Sequence, residues 1–313
     1  MKYIVTGGAG FIGSHIVEAV AGSHEVVVID NFSSGKWENM REFPESVRVI
    51  EGSVTDLSLL KDTFKGVDGI FHLAAIASVA RSVDNPLATH ETNLTGTLNV
   101  LLAAQICGVK KVVLASSSAV YGNEPTVPKH EDMPPAPLSP YAVSKLAAEY
   151  YSNVFSELFN VKTVSLRYFN VFGPRQDPHS EYAAVIPKFI TRLIDNQPPI
   201  IFGDGMQTRD FVYVKDVVLA NMLAMQSSAT GTFNIGSGEK INLNTLASTL
   251  AELMKVSLHP IYERPRPGDI RDSVSDITAA KNAFGFQTRY SLDDGLRDTI
   301  KWFHHQKKRK SSK

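Results

Sequence analysis

One cysteine, Cys107, occurs in 313 residues, which excludes an internal disulfide and fits a reducing cytosol. It lies in an apolar helical stretch and reads as a core thiol. The chain also lacks a charge excess. Lysine plus arginine number 32 and aspartate plus glutamate number 32, so charge points to neither nucleic acid nor a membrane surface. Long apolar runs are missing too: the longest, around Ile70 to Ala80, is too short and too polar to cross a bilayer. The chain enters a strand at once with no signal-peptide pattern, and a cytoplasmic location is expected. No metal site, internal repeat or low-complexity segment is expected. The basic end, Lys307 to Lys313, reads as a solvated, frayed tail. At this length the chain can bury a large core but is long for one compact domain, which predicts two lobes.

What is present starts with Tyr3-Ile4-Val5-Thr6-Gly7-Gly8-Ala9-Gly10-Phe11-Ile12-Gly13. An apolar β-branched run reads as a buried parallel strand, and Phe11, Ile12, Ile16, Val17 and Val20 recur with helical period. Strand, glycine turn and helix together make a phosphate site. Gly7 suits the turn, Gly10 lets backbone approach a pyrophosphate, and Gly13 lets helix and strand pack closely. A second strand, Glu25 to Ile29, ends on Asp30, whose carboxylate would accept the adenosine ribose hydroxyls and repel a 2′-phosphate. The expected cofactor is NAD.

Further strands are predicted at 47–50, 69–73, 111–116 and 162–167, with helices near 57–64, 86–107 and 139–159. The alternation predicts an α/β fold, a Rossmann-type doubly wound parallel sheet with a second, smaller mixed α/β substrate-binding lobe. The cofactor domain is expected at 1–174 plus about 207–240, and the substrate lobe at about 175–206 plus 241–313. After Gly173 loops lengthen and prolines cluster; helices are expected near 214–225, 242–254 and 292–305, and a strand near 232–235.

The second informative stretch is Leu138-Ser139-Pro140-Tyr141-Ala142-Val143-Ser144-Lys145. Ser139 is a good N-cap and Pro140 suits the first helical position. Tyr141 and Lys145 then share one helix face. A tyrosine with a pKa near ~10 is a poor base at neutral pH, and reaching about 7 takes roughly 4 kcal/mol. A neighbouring ammonium and the charge of an oxidised nicotinamide both favour phenolate. Alone, Y-x-x-x-K is an ordinary surface pair; after a dinucleotide turn it reads as chemistry. Ser116-Ser117-Ser118 ends a strand, where a hydroxyl would hydrogen-bond a substrate oxygen.

These motifs, with D-N at 30–31, L-A-A at 73–75, S-S-S-A-V-Y-G at 116–122, R-Y-F-N-V-F-G-P-R at 167–175, R-D-F-V-Y-V-K-D at 209–216 and R-P-G-D at 266–269, span essentially the whole chain. The chain resembles the extended short-chain dehydrogenase/reductase superfamily, and within it the nucleotide-sugar 4-epimerases of the UDP-galactose type. The resemblance implies Tyr141 as general base, Ser117 as its hydroxyl partner and Lys145 as the cation that also holds the nicotinamide ribose. Phe11 and Ile12 belong to the cofactor turn. Asn31, Ser34 and Gly35 would join Asp30 around the adenosine ribose, and Val54 would border the adenine. Ser53 stands where the family usually has aspartate. Leu73, Ala74, Ala75 and Asn93 would line the path to the nicotinamide, and Tyr168 would contact it. On the substrate side it implies Ser118, Asn170 and Val185, Phe202 beside the uracil, Arg209 and Arg266 on the pyrophosphate, Asp269 on a ribose, and Ser273 beside the hexose C2 substituent.

The implied activity interconverts C4 epimers of UDP-hexoses through transient oxidation to a 4-keto sugar with tightly bound NAD. A small Ser273 predicts acceptance of N-acetylated sugars. The 4,6-dehydratases carry an Asp-Glu pair where this chain has Ser118-Ala119, and decarboxylating relatives usually have a glutamate at position 119. A UDP-glucuronate 4-epimerase stays open, and a non-catalytic NAD sensor is disfavoured because tyrosine and lysine are both kept. The family also implies a homodimer built on the helices of 86–107 and 139–159.

Overall fold

The structure, a computed structural model, describes residues 1–178, 184–257, 259–265 and 270–311. Short β-branched runs form β1 (Lys2–Thr6), β2 (Glu25–Asp30), β3 (Arg48–Glu51), β4 (Gly69–His72), β5 (Lys111–Ser117) and β6 (Lys162–Tyr168). With Gly231–Ile235 they make one seven-stranded sheet in the order Gly231–Ile235, β6, β5, β4, β1, β2, β3. Every pairing is parallel. Strand order reverses between β1 and β4, so their C-terminal ends open a crevice where an α/β sheet takes its ligand. The strands read as continuous apolar runs because both faces are covered. One face packs Val5, Phe71 and Val113 under the helices Phe11–Ala21 and Val214–Gln226, and the other packs Ile4, Ile70 and Val112 under Leu57–Thr63 and Gly96–Cys107. The doubly wound sheet is thus as the alternation predicts.

Elsewhere the chain differs from expectation in detail. The single helix expected over 86–107 is Pro86–His90, a π-turn at Glu91–Thr95 and a helix at Gly96–Cys107. A short helix, Val79–Asp84, precedes it. The C-terminal helix runs on from Leu292 to Ser311, and the Lys307 ammonium donates to Ile194 O at 3.0 Å and pairs with Asp195 at 2.9 Å. The helix therefore continues to Ser311, into the stretch from Lys307 expected to fray.

A third apolar cluster lies beyond the sheet. It gathers Phe172, Phe189, Ile190, Ile201, Leu246, Leu250, Leu296 and Phe303 from the helices Val185–Ile194, Leu243–Met254 and Leu292–Ser311 and the strands Asn170–Phe172 and Ile200–Phe202. Thr208–Arg209 pairs antiparallel with Ile241–Asn242 and parallel with Asp272–Ser273, which sets Ser273 opposite Arg209. Asp210, fully buried, fastens this region: it accepts from the backbone and hydroxyl of both Ser237 and Ser275 and from Gly238 N. Among the described residues no helix is long and apolar enough to cross a membrane.

Candidate active site

The glycine turn is shaped by close approach. Gly7 sits at φ +71° with its amide on Ile29 O at 2.8 Å, and a Cβ there would meet Ala74 N at 2.7 Å. A Cβ on Gly13 would stand 2.1 Å from Gly7 O, so helix and turn touch only because both lack side chains. No side chain caps the Phe11–Ala21 helix and no acid lies in its first turn. Its positive end, with Phe11 and Ile12 in that turn, is left for an anion. Asp30 is buried and ties the turn to the next loop, accepting from Ala9 N and Phe32 N at 2.9 Å each. Burial pushes its pKa up, while the two amides act against that. Gly35 is pressed so close that a Cβ would fall 2.8 Å from the carboxylate. Asn31 accepts from Ser33 N at 3.1 Å, and Ser34 is exposed. Uncapped helix end, glycine-rich turn and a buried carboxylate at the end of the next strand fit NAD.

His15, on the same helix, donates from Nε2 to Pro174 O at 3.0 Å, and burial pushes its pKa down to about 4. Between roughly pH 6.5 and 4 the unfolded chain binds the extra proton, so stability falls as pH falls. His15→Gln retains a donor and removes the titration. The slope of unfolding free energy against pH in that window should flatten by up to about 1.4 kcal/mol per pH unit, read by urea melts at several pH values.

On the other side of the crevice, Val54 is buried and its carbonyl is held by Asn99 Nδ2 at 3.2 Å, while the Ser53 hydroxyl is engaged with Thr55 Oγ1 at 2.8 Å. Leu73, Ala74 and Ala75 leave β4 half-buried beside Gly7. Asn93 lies in the π-turn, and extra-residue turns of this kind are frequent at functional sites. Its side chain accepts from Ile76 N at 2.7 Å and donates to Ile76 O at 3.2 Å and Ser144 Oγ at 3.1 Å. Ser144 in turn donates to Tyr141 O at 2.7 Å. Asn93 thus braces the loop after β4 against the tyrosine helix. Behind it, Thr97 donates its only hydroxyl proton to Asn93 O at 2.6 Å. The neutral His72 therefore donates from Nε2 to Thr97 at 2.9 Å and accepts from Thr6 at Nδ1, 2.7 Å away. Burial holds this imidazole down to about 3.

Tyr141 stands in the first turn of the helix Pro140–Leu158, capped by Ser139 Oγ accepting from Ala142 N at 3.2 Å. Its phenol lies beside Ser117 at the end of β5, whose hydroxyl acts to lower the phenol's pKa. Ser117 also accepts from Ala119 N at 3.2 Å, and Ser118 begins the turn that follows. Lys145 Nζ lies 5.9 Å from the Tyr141 ring centroid and donates to Ala115 O at 2.8 Å. Burial pushes the Tyr141 phenol above its ordinary value, with Ser117 acting the other way. It also pushes Lys145 down to about 8, with Glu149 acting the other way. Lys145 alone does not bring the phenol toward neutrality.

Tyr168 ends β6, where a nicotinamide contact is expected. Its hydroxyl is exchanged with Asn221 at 2.8–3.0 Å inside the core, which leaves its backbone, at the end of β6, nearer the crevice. Asn170 follows at once, half-buried, with its amide on Asp210 O at 3.0 Å. Val185 opens a helix and Phe202 ends a strand, both half-buried. Arg209 donates to Thr208 O and Ile270 O at 2.8 and 2.7 Å. Ser273 beside it is buried. Arg266 and Asp269 lie outside the described residues. A groove of about 1420 Å³ is lined by His15, Lys36, Arg175, Lys215 and Trp302, but by none of Ser117, Tyr141 or Lys145, and its charges are of both signs.

A Rossmann-type sheet with a glycine turn, a buried acid at the end of β2 and a serine–tyrosine–lysine set at its strand ends defines a dinucleotide-dependent enzyme. The chain belongs to the NAD dependent epimerase/dehydratase family, whose profile matches residues 3–236. It is 40% identical over 313 residues to a UDP-glucose 4-epimerase of Mycolicibacterium smegmatis, covering 98% of this chain and 99% of that protein. Among solved structures, a UDP-N-acetylglucosamine 4-epimerase from Methanobrevibacter ruminantium, in complex with UDP-N-acetylmuramic acid, superposes with a TM-score of 0.95 at 42% identity, covering 97% of this chain and 98% of that one. A UDP-glucose 4-epimerase of Thermus thermophilus in complex with NAD gives 0.88 at 39% identity, covering 97% and 99%.

Proposed function

We propose that the chain interconverts the C4 epimers of UDP-hexoses, UDP-glucose with UDP-galactose and the N-acetylated pair as well. The observation that carries this is Tyr141 beside Ser117 at the end of β5, with Lys145 Nζ 5.9 Å from its ring on the same helix face. NAD, when bound, supplies the reversible two-electron chemistry at C4. Tyr141 holds or takes the C4 hydroxyl proton, Ser117 orients that oxygen, and Lys145 favours the phenolate. The apolar wall of Leu73, Ala74 and Ala75 excludes water. Arg209, joined by Arg266, grips the diphosphate, for which planar guanidinium groups are suited. We read 1–174 plus about 207–240 as the cofactor domain and about 175–206 plus 241–313 as the substrate lobe. The apolar cluster around Phe189 and Leu246 gathers the lobe's helices, and Phe172, Phe211 and Tyr213 of the cofactor domain pack into it.

A homodimer is also proposed. Val79, Val83, Leu87, Val143, Tyr150, Val154 and Leu158 stand exposed on the helices of 79–107 and 140–158, at 42–81% of their surface. Such a concentration marks a surface to be covered. Equal charge and a single cysteine fit a cytoplasmic enzyme.

The deciding experiment offers the purified protein UDP-glucose, UDP-galactose, their N-acetylated forms and UDP-glucuronate and separates the products. Conversion of the glucuronate alone would replace the substrate assignment. Ser273→Tyr should suppress turnover of the N-acetylated substrates by about 10–200-fold, the reach of shape selection, while sparing UDP-glucose. An unmodified enzyme that rejects both N-acetylated sugars would remove Ser273 as the gate.

A further inference from the structure

Tyr141, Lys145 and Glu149 follow one another at intervals of four and so share a helix face. Each meets the end of β5: Tyr141 meets Ser117, Lys145 donates to Ala115 O, and Glu149 accepts from the Ser116 hydroxyl. Three consecutive residues of the strand are thus held by three consecutive turns of the helix. Glu149 does more than grip. Arg167, on the adjacent strand β6, donates to it twice, from Nε at 3.0 Å and Nη2 at 2.8 Å, and neither side chain is more than 6% exposed. Arg167 is itself oriented, donating from Nη1 to the Tyr121 hydroxyl at 2.9 Å, which donates on to Asn234 at 2.7 Å. A buried bidentate pair braced in this way has little freedom to shift, and removing one partner leaves an uncompensated charge. Such a pair directly behind the serine–tyrosine–lysine set calls for an explanation beyond stability, since apolar residues of similar volume often serve as well.

We propose that Glu149 is a positioning residue for the reaction, locking the tyrosine helix in register on β5 and presenting a fixed negative charge to the Lys145 ammonium. The groups facing Lys145 are the Ala115 carbonyl, the Tyr141 ring, the neutral imidazole of His72 and Glu149, which carries Arg167 on its far side. Glu149 is the anionic member of that set. Its charge keeps the buried ammonium protonated, and the protonated form is the one that favours a Tyr141 phenolate. The inference rests on the reading of Tyr141 as base.

The test is Glu149→Gln, which retains one acceptor for Ser116 and Arg167 Nε and loses the charge together with the acceptor for Arg167 Nη2. With lysine ¹³C-labelled at Cε and the Lys145 resonance assigned by its loss in Lys145→Met, the Lys145 titration should move down by about one pH unit. The alkaline limb of kcat against pH should move with it, and kcat should fall by about 10–10²-fold. KM for the UDP-sugar should hold. Glu149→Asp retains the charge but shortens the reach. It should lower kcat with the Lys145 titration unmoved, and it serves if the glutamine variant does not fold. A Lys145 titration unchanged in Glu149→Gln, or a Glu149→Asp enzyme as fast as its parent, overturns the proposal and leaves a structural brace. Tyr141→Phe run in parallel keeps the two readings apart, because retained activity there removes the base without touching the Lys145 titration.

Discussion

Replacing Tyr141 by phenylalanine is expected to cut epimerase turnover on the order of 10³-fold, the usual reach of a positioned acid–base group. The variant should still fold and bind NAD and UDP-sugar, because the change removes one oxygen from a half-buried ring and leaves the Ser139 cap and the Ser144 brace in place. The free phenol is poised badly for a base. Burial raises its pKa, and Lys145, itself pushed down to about 8, loses its charge on the alkaline side. The site therefore needs a second positive contribution, and an oxidised nicotinamide is of the right sign. The check is turnover by product separation together with calorimetric binding of UDP-sugar. Activity within tenfold of the parent would point to another base.

Discrimination between cofactors should be nearly as large. The Asp30 carboxylate is buried, fixed by two backbone amides and pressed by Gly35, so it cannot swing away from a 2′-phosphate. Two like charges about 4 Å apart at an effective dielectric constant near 20 repel by about 4 kcal/mol. NAD should therefore bind on the order of 10²–10³-fold more tightly than NADP. Asp30→Ser should narrow that gap by weakening NAD and admitting NADP. Calorimetric titration with both cofactors measures it, and comparable affinities in the parent would remove Asp30 from the ribose.

Much of this was legible before any coordinates, for a physical reason. A strand that turns into a helix around a pyrophosphate leaves few choices at positions 7, 10 and 13, and β2 delivers an acid at position 30. The same holds for Ser139, Pro140 and Tyr141, where cap chemistry sets the phase of the helix and hence of Lys145. What was not legible depends on contacts between distant segments. The π-turn at 91–95 adds a residue to a helical ladder whose apolar pattern continues on either side, so periodicity alone runs straight through it. Glu149 reads as one more polar residue of an amphipathic helix until β5 and β6 bring Ser116 and Arg167 onto it. Tyr168 reads as a crevice residue by its place in the chain, and only the packing of the Val214–Gln226 helix shows where its hydroxyl goes. Asp210, buried among donors 27 to 65 residues away in the chain, carries no local signal.

The three-stranded pairing of Thr208–Arg209 with Ile241–Asn242 and Asp272–Ser273 bears on the order in which the molecule can be made. During synthesis, the parallel sheet has its last strand once Ile235 has emerged. Asp210 still lacks the donors of Ser275, and Arg209 still lacks its neighbour Ser273. A nascent chain stopped near residue 240 would hold a complete dinucleotide crevice beside a carboxylate only partly satisfied, which favours holding that region open to water. The region beyond the parallel sheet is thus the last to close, and its ordering is tied to completion of the C-terminal third.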